Sequence, residues 1–295
     1  MPKTHLASGL DIEYETLGRP EDPPLLLVMG LGAQLVSWPT GLCQRLAEAG
    51  RYVIRFDNRD CGLSTKFDDK PANLDQVIAN VREGDVASAR ALAPYTLADM
   101  AGDAFELLDA LGLPKAHVVG SSMGGAIAQL MAIERPERVL SLTSIMASTG
   151  EPEYGQATPE ALGVLFAPSP PDREGYLHAA TRSKVWRSKR YFDAEEVRRS
   201  AAERYDRSYY PQGTARQTAA LVTAGPRAEA LRRLSVPTLV VHGLDDTLVA
   251  PSGGERTAEL VPAARLLLVE DMGHDRPEPL WPLLADAIID HTSSP

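Results

Sequence analysis

Gly120-Ser121-Ser122-Met123-Gly124-Gly125 is the stretch on which the reading of this chain of 295 residues turns. It follows directly on the apolar run Ala116-His117-Val118-Val119, and a helical pattern from Gly124 to Ile133 comes directly after it. A chain that turns from strand to helix this sharply holds the central residue, Ser122, in a strained backbone conformation. Glycine on either side leaves room for the turn. The serine hydroxyl is then expected at the carboxyl end of a sheet, where open α/β sheets bind their ligands. Ser122 is the candidate nucleophile.

The sequence around this hexapeptide has the rhythm of βαβ units. Short apolar runs at Leu25–Val28, Tyr52–Phe56, Ala116–Val119, Leu140–Met146, Thr238–Val241 and Arg265–Val269 read as buried strands. Amphipathic helical patterns separate them: Trp38–Ala49, a helix capped by Thr96 with apolar Met100, Ala104, Leu107, Leu108 and Leu111, and a closing helix near Trp281–His291. His5–Leu17 alternates and reads as an edge hairpin. A helical piece at Leu74–Arg82 lies within an excursion over residues 65–95. Residues 150–230 hold no strand-like run, many charges and a Pro168-Ser169-Pro170-Pro171 break, the pattern of an inserted helical cap. The expected architecture is α/β, a mostly parallel sheet flanked by helices, with residues 1–149 and 231–295 as core and 150–230 as cap.

Composition narrows the function. Forty acidic against 30 basic residues give a net charge of −10, which argues against a nucleic-acid or anionic-membrane partner. Cys43 and Cys61 are too few for a disulfide framework, lack metal-ligand spacing and read as free thiols; no metal is expected. The first residues show no signal-peptide pattern, and the most apolar segment, from Pro23 to Val36, is too short to span a bilayer. A cytoplasmic monomer or homodimer with a small-molecule substrate is expected.

A serine hydroxyl becomes nucleophilic when a base takes its proton and a third group orients that base. After a strand–Ser–helix turn, the acid and then the histidine are expected downstream in that order. His274, in Asp271-Met272-Gly273-His274 beyond the last apolar strand, is the candidate base. His242 reads as structural, and His291, at the end of the closing helix, as exposed. In His242-Gly243-Leu244-Asp245-Asp246, the G-x-x-D spacing selects Asp246 as the orienting acid, leaving Asp245 to the turn or the solvent. The amide of Met123 and one from Met29-Gly30-Leu31-Gly32 would form the oxyanion hole, with Leu31 the expected donor and Gly32 the alternative.

These pieces, with Asp57-Asn58-Arg59-Asp60-Cys61-Gly62-Leu63-Ser64, resemble the α/β-hydrolase-fold serine hydrolases over nearly the whole chain. Ala93-Pro94-Tyr95-Thr96-Leu97-Ala98-Asp99-Met100 and the run to Leu111 resemble, more narrowly, the aclacinomycin methylesterase type of bacterial carboxylesterase. The resemblance implies ester hydrolysis through an acyl-serine, with no cofactor. Met29 and Ser121 stand where many members of the superfamily have histidine. Asp57 and Arg59 are expected to hold the loop beside the site.

Nine of the 17 aromatic side chains fall within 150–230, which suits either a ring-lined pocket or the cap's own core. Trp186 and Tyr209 are the expected substrate contacts there, with Gly30 and Gly32 on the opposite side. Arg182, Lys184, Arg187, Lys189 and Arg190 form a basic cluster that is either a solvated helix face or a steering patch for an anionic substrate. Lactonase, thioesterase and perhydrolase-like reactions use the same machinery, and a non-catalytic binding protein on the same fold is the rival of a different class.

Overall fold

The computed structural model describes residues 2–293. Among them one sheet runs in the order β1-β2-β4-β3-β5-β6-β7-β8. The strands are β1 (Lys3–His5), β2 (Asp11–Leu17), β3 (Pro24–Val28), β4 (Tyr52–Phe56), β5 (Ala116–Ser121), β6 (Val139–Ile145), β7 (Thr238–Gly243) and β8 (Arg265–Val269). The expected edge hairpin is present: β1 and β2 are antiparallel, as are β2 and β4, and every other pairing is parallel.

Strands buried on both faces need apolar side chains at consecutive positions, and alternate residues then serve opposite layers. Leu26 and Val28 of β3 and Val118 of β5 join Met100, Ala104, Leu108 and Ile127 in one core. Leu25 and Leu27, with Val119 and Val241, join Leu42, Leu46, Leu284 and Ile288 in the other. The helices of these layers are α1 (Thr40–Glu48), α2 (Leu74–Arg82), α3 (Val86–Ala91), α4 (Leu97–Ala110) and α5 (Met123–Glu134). Thr96 caps α4 in a full capping box: its Oγ accepts the Asp99 N–H at 3.2 Å, while Asp99 accepts the Thr96 N–H at 2.7 Å. The helix expected from Trp38 begins instead at Thr40. Trp38 precedes Pro39, which disfavours helical geometry in the residue before it, and Trp38 is extended at φ −77°, ψ 111°.

Between β6 and β7 the chain forms α6 (Pro159–Leu165), α7 (Arg173–Ala180), α8 (Ala194–Ser208), α9 (Pro211–Val222) and α10 (Ala228–Leu231). Past β7 come α11 (Ser252–Leu260) and the closing α12 (Trp281–Ser293). Residues 57–60, at the end of β4, tie α8 and α9 to the sheet. Asp57 accepts the N–H groups of Leu35 and Leu63 and meets Arg207 of α8 at 2.7 Å. Asp60 takes Arg216 of α9 through two bonds of 2.8 and 2.9 Å, and Arg59 pairs with Asp103 of α4. Asp57 and Arg59 therefore hold this loop, as expected. Both thiols are buried, and burial pushes Cys43 up to about 11 and Cys61 to about 12.

His291 departs from expectation. It is buried, and its Nε2 donates to the Leu142 carbonyl at 3.1 Å, because α12 packs along the sheet to its last turn. His117 is buried beside it on β5, against Ser141 Oγ at 2.8 Å. Burial, helped by the charge of Arg51, pushes His117 down to about 4 from an ordinary 6.5. Above pH 6.5 neither the folded nor the unfolded chain binds this proton, and the full stability is present. As the pH falls from 6.5 towards 4 only the unfolded chain takes it up, so stability is lost across that window. The expected loss from this group is about 1–2 kcal/mol, after allowing for a ring not wholly shut off from solvent. Urea unfolding of wild type and His117→Asn at pH 7 and pH 4.5 checks this; equal losses in the two proteins would remove His117 as the cause.

Candidate active site

Ser122 sits between β5 and α5 at φ 58°, ψ −123°, a conformation that costs a non-glycine residue about 1–3 kcal/mol. The two flanking glycines are demanded by space, since neither has a positive φ. A Cβ on Gly120 would lie 2.1 Å from the Gly124 carbonyl oxygen, and one on Gly124 the same distance from that of Val28. Any side chain at either position would push α5 off the strand end and move Ser122.

The loop after β8 brings His274 over this turn. Its backbone N–H donates to the Trp186 carbonyl at 2.6 Å, and its Nε2 lies 2.9 Å from Ser122 Oγ. Its Nδ1 lies 2.7 Å from Oδ2 of Asp246, which is buried in the loop after β7. The other Asp246 oxygen accepts the N–H groups of Leu248 and Val249, both at 2.9 Å. Burial alone would raise this carboxyl, but the charge and hydrogen bond of His274, with those of His242, bring it down to about 2. His242 spends its Nε2 on the Val249 carbonyl at 2.8 Å and braces the same loop. Asp245 turns the other way, to Lys189 Nζ at 3.0 Å.

Gly30 lets the loop after β3 close on Ser122: a Cβ there would stand 3.1 Å from Ser122 Cβ. Gly32 is excluded as an oxyanion donor, because its N–H is already bonded to Gln217 Oε1 at 2.8 Å. The N–H groups of Leu31 and Met123 have no acceptor among the described residues.

A cavity of about 880 Å³ opens on Ser122 and His274. Met146, Leu162, Val164, Leu165 and Leu221 make its apolar wall, and Glu196, Arg199, Glu203 and Arg204 of α8 a polar one. Trp186, Gly30 and Gly32 line it. Tyr209 does not. It stacks on Tyr205 at 4.6 Å, packs edge-on to Tyr176, and lines a separate hollow of about 70 Å³ beside Cys61. Its hydroxyl bonds to the Pro170 carbonyl, so this part of the aromatic set serves the core of the helical segment. Tyr176 lines both spaces; nothing in its local sequence separates it from the other aromatics of residues 150–230.

Three of the five clustered basic residues are paired with carboxylates, Lys189 and Arg190 while still largely exposed to solvent. Arg187 meets Asp275 at 3.6 Å, Lys189 meets Asp245, and Arg190 meets Asp271 at 2.8 Å. The basic strap thus lies along the two loops that carry Asp246 and His274, and opposite charge on those loops is the reason.

A strand-end serine backed by histidine and a buried aspartate, on a sheet of this order, defines the class. The alpha/beta hydrolase fold family matches residues 23–276, and the chain belongs to it. Rhodomycin D methylesterase DauP of Streptomyces sp. (strain C5) is 31% identical, over 94% of this chain and 93% of that protein. The 3-oxoadipate enol-lactonase 2 of Acinetobacter baylyi is 26% identical, over 90% and 88%. Among solved structures, the enol-lactonase from Burkholderia xenovorans LB400 superposes with a TM-score of 0.75 at 22% identity, covering 99% of this chain and all of that one. The chain is an ester hydrolase of this family. No helix among the described residues is long and apolar enough to cross a membrane.

Proposed function

We propose that this enzyme hydrolyses a bulky, largely apolar carboxylic ester, a methyl ester foremost, with Ser122 as nucleophile, His274 as general base and Asp246 as its orienting acid. The observation that carries the reading is the unbroken chain Asp246–His274–Ser122, at 2.7 and 2.9 Å, opening into a cavity of about 880 Å³. His274 takes the Ser122 proton as Oγ attacks the ester carbonyl. The Leu31 and Met123 amides donate to the oxyanion. As the tetrahedral intermediate collapses, His274 returns the proton to the leaving alcohol, and an acyl-serine remains. Water, deprotonated by His274, then attacks that ester and releases the acid. Residues 150–230 act as the cap, over a core of residues 1–149 and 231–295.

The cavity volume and its apolar wall support a large substrate, and the likeness to a protein named a methylesterase supports a methyl ester. A panel of methyl esters with bulky ring-bearing and short aliphatic acyl groups, together with lactones, tests this. At about 0.8 kcal/mol per buried methylene, the bulky methyl esters are expected to be favoured by at least about tenfold in kcat/KM. Equal or better turnover of the short esters would overturn the bulky-substrate reading. A preference for lactones would replace it with ring opening by the same groups.

A further inference from the structure

Two residues beyond His274, Arg276 reaches back along the cavity wall beside the nucleophile. One terminal nitrogen donates to Ser121 Oγ at 2.5 Å. The other donates to the Ser37 carbonyl at 3.1 Å and lies 3.8 Å from Met29 Sδ. The guanidinium lies 4.6 Å from the centre of the Trp38 ring, and the Arg276 carbonyl accepts the Trp281 indole N–H at 2.8 Å. Every one of these partners is neutral. No carboxylate among the described residues lies within 4 Å of the guanidinium. Its neighbour Asp275 acts on it electrostatically from beyond ion-pair distance and is itself engaged by Arg187 and by the Ser188 N–H at 3.0 Å. Arg276 Nε, Ser37 Oγ and Trp38 Nε1, on three residues in mutual contact, are also buried without a hydrogen-bond partner.

A buried cation is costly unless an opposite charge compensates it, and a buried donor without an acceptor adds to that cost. Ordered water could satisfy the donors but leaves the charge with no carboxylate in direct contact, Asp275 acting only from a distance. A guanidinium with neutral partners, on the wall of the cavity that holds Ser122, is therefore completed by an anion brought in from that cavity. Arginine is suited to this, since its planar fork matches a carboxylate. From this we propose that Arg276 forms a carboxylate-binding subsite, and that the preferred substrates are esters carrying a free carboxylate within reach of the reacting carbonyl. The inference rests on the ester-hydrolase reading of Ser122 and adds to it the charge of the substrate.

Monomethyl esters of linear diacids of increasing length, against the corresponding dimethyl esters, supply the test. In the wild type, one or more monoesters are expected to exceed the dimethyl ester in kcat/KM by about tenfold or more, the size of a charge-assisted contact. Added salt should reduce that ratio. Arg276→Met should bring it to about one, while Arg276→Lys, which keeps the charge, should retain part of it. A ratio at or below one for every length in the wild type overturns the proposal even if the Met variant fails to fold. So does an equal ratio in wild type and folded Arg276→Met. Calorimetric binding to Ser122→Ala separates the two readings. Monoester binding that is lost in Ser122→Ala/Arg276→Met, from a wild type that hydrolyses no ester, would remove the ester reaction and leave the subsite standing.

Discussion

Ser122→Ala is expected to reduce kcat for any ester the wild type turns over by about 10⁶-fold, while the protein stays folded. The Ser122 side chain makes one hydrogen bond, to His274 Nε2, and none that supports the fold. Alanine occupies the same strained backbone position with no added volume, and the demanding contacts belong to Gly120 and Gly124. A melting temperature within a few degrees of wild type and loss of labelling by a fluorophosphonate probe should accompany the loss of turnover. Activity retained within about tenfold of wild type would move the nucleophile elsewhere and take the proposed mechanism with it.

Asp246→Asn is expected to cost about 10⁴-fold in kcat, through the proton on His274 rather than through the fold. The carboxylate has two tasks that the amide divides. An asparagine oxygen can still accept the Leu248 and Val249 N–H groups, so the loop keeps its shape. The amide nitrogen must then face His274 Nδ1, where Asp246 now presents an acceptor at 2.7 Å. Donor against donor, the imidazole adopts the tautomer with its proton on Nε2, and it can no longer take one from Ser122. Asp245→Asn is the control, since it touches only the partly exposed pair with Lys189 and should change kcat by less than about twofold. Combining Asp246→Asn with Ser122→Ala should lower the rate little beyond Ser122→Ala alone, because the groups act as one unit. A tenfold loss or less for Asp246→Asn would show that Asp246 does not set the tautomer.

These positions were legible because each follows from a local rule. The run Ala116–Val119, with Gly120 and Gly124 on either side of Ser122, allows one kind of turn. Asp246 and His274 come next at strand ends, in the order the topology imposes. The misplaced features depend on distant packing. His291 looked exposed because helix ends fray, yet α12 seats its last turn on β6. Residue type alone groups Tyr209 with the substrate contacts, but its ring is occupied by Tyr205 and Tyr176. The ion pairs of the basic strap carry no local signal, because its partners, Asp245, Asp271 and Asp275, lie more than fifty residues away in the chain.

Alternating apolar runs, glycine placement and chain order, all readable in the sequence, determine a mostly parallel sheet with Ser122 at a strand end, because those constraints act over a few residues. Tertiary structure alone decides which amides are left without an acceptor, which aromatics face the cavity, and that Arg276 stands beside Ser121 with no carboxylate in direct contact. Those are properties of space and charge shared among residues 29, 37, 38, 121 and 276, which only the closed fold brings together.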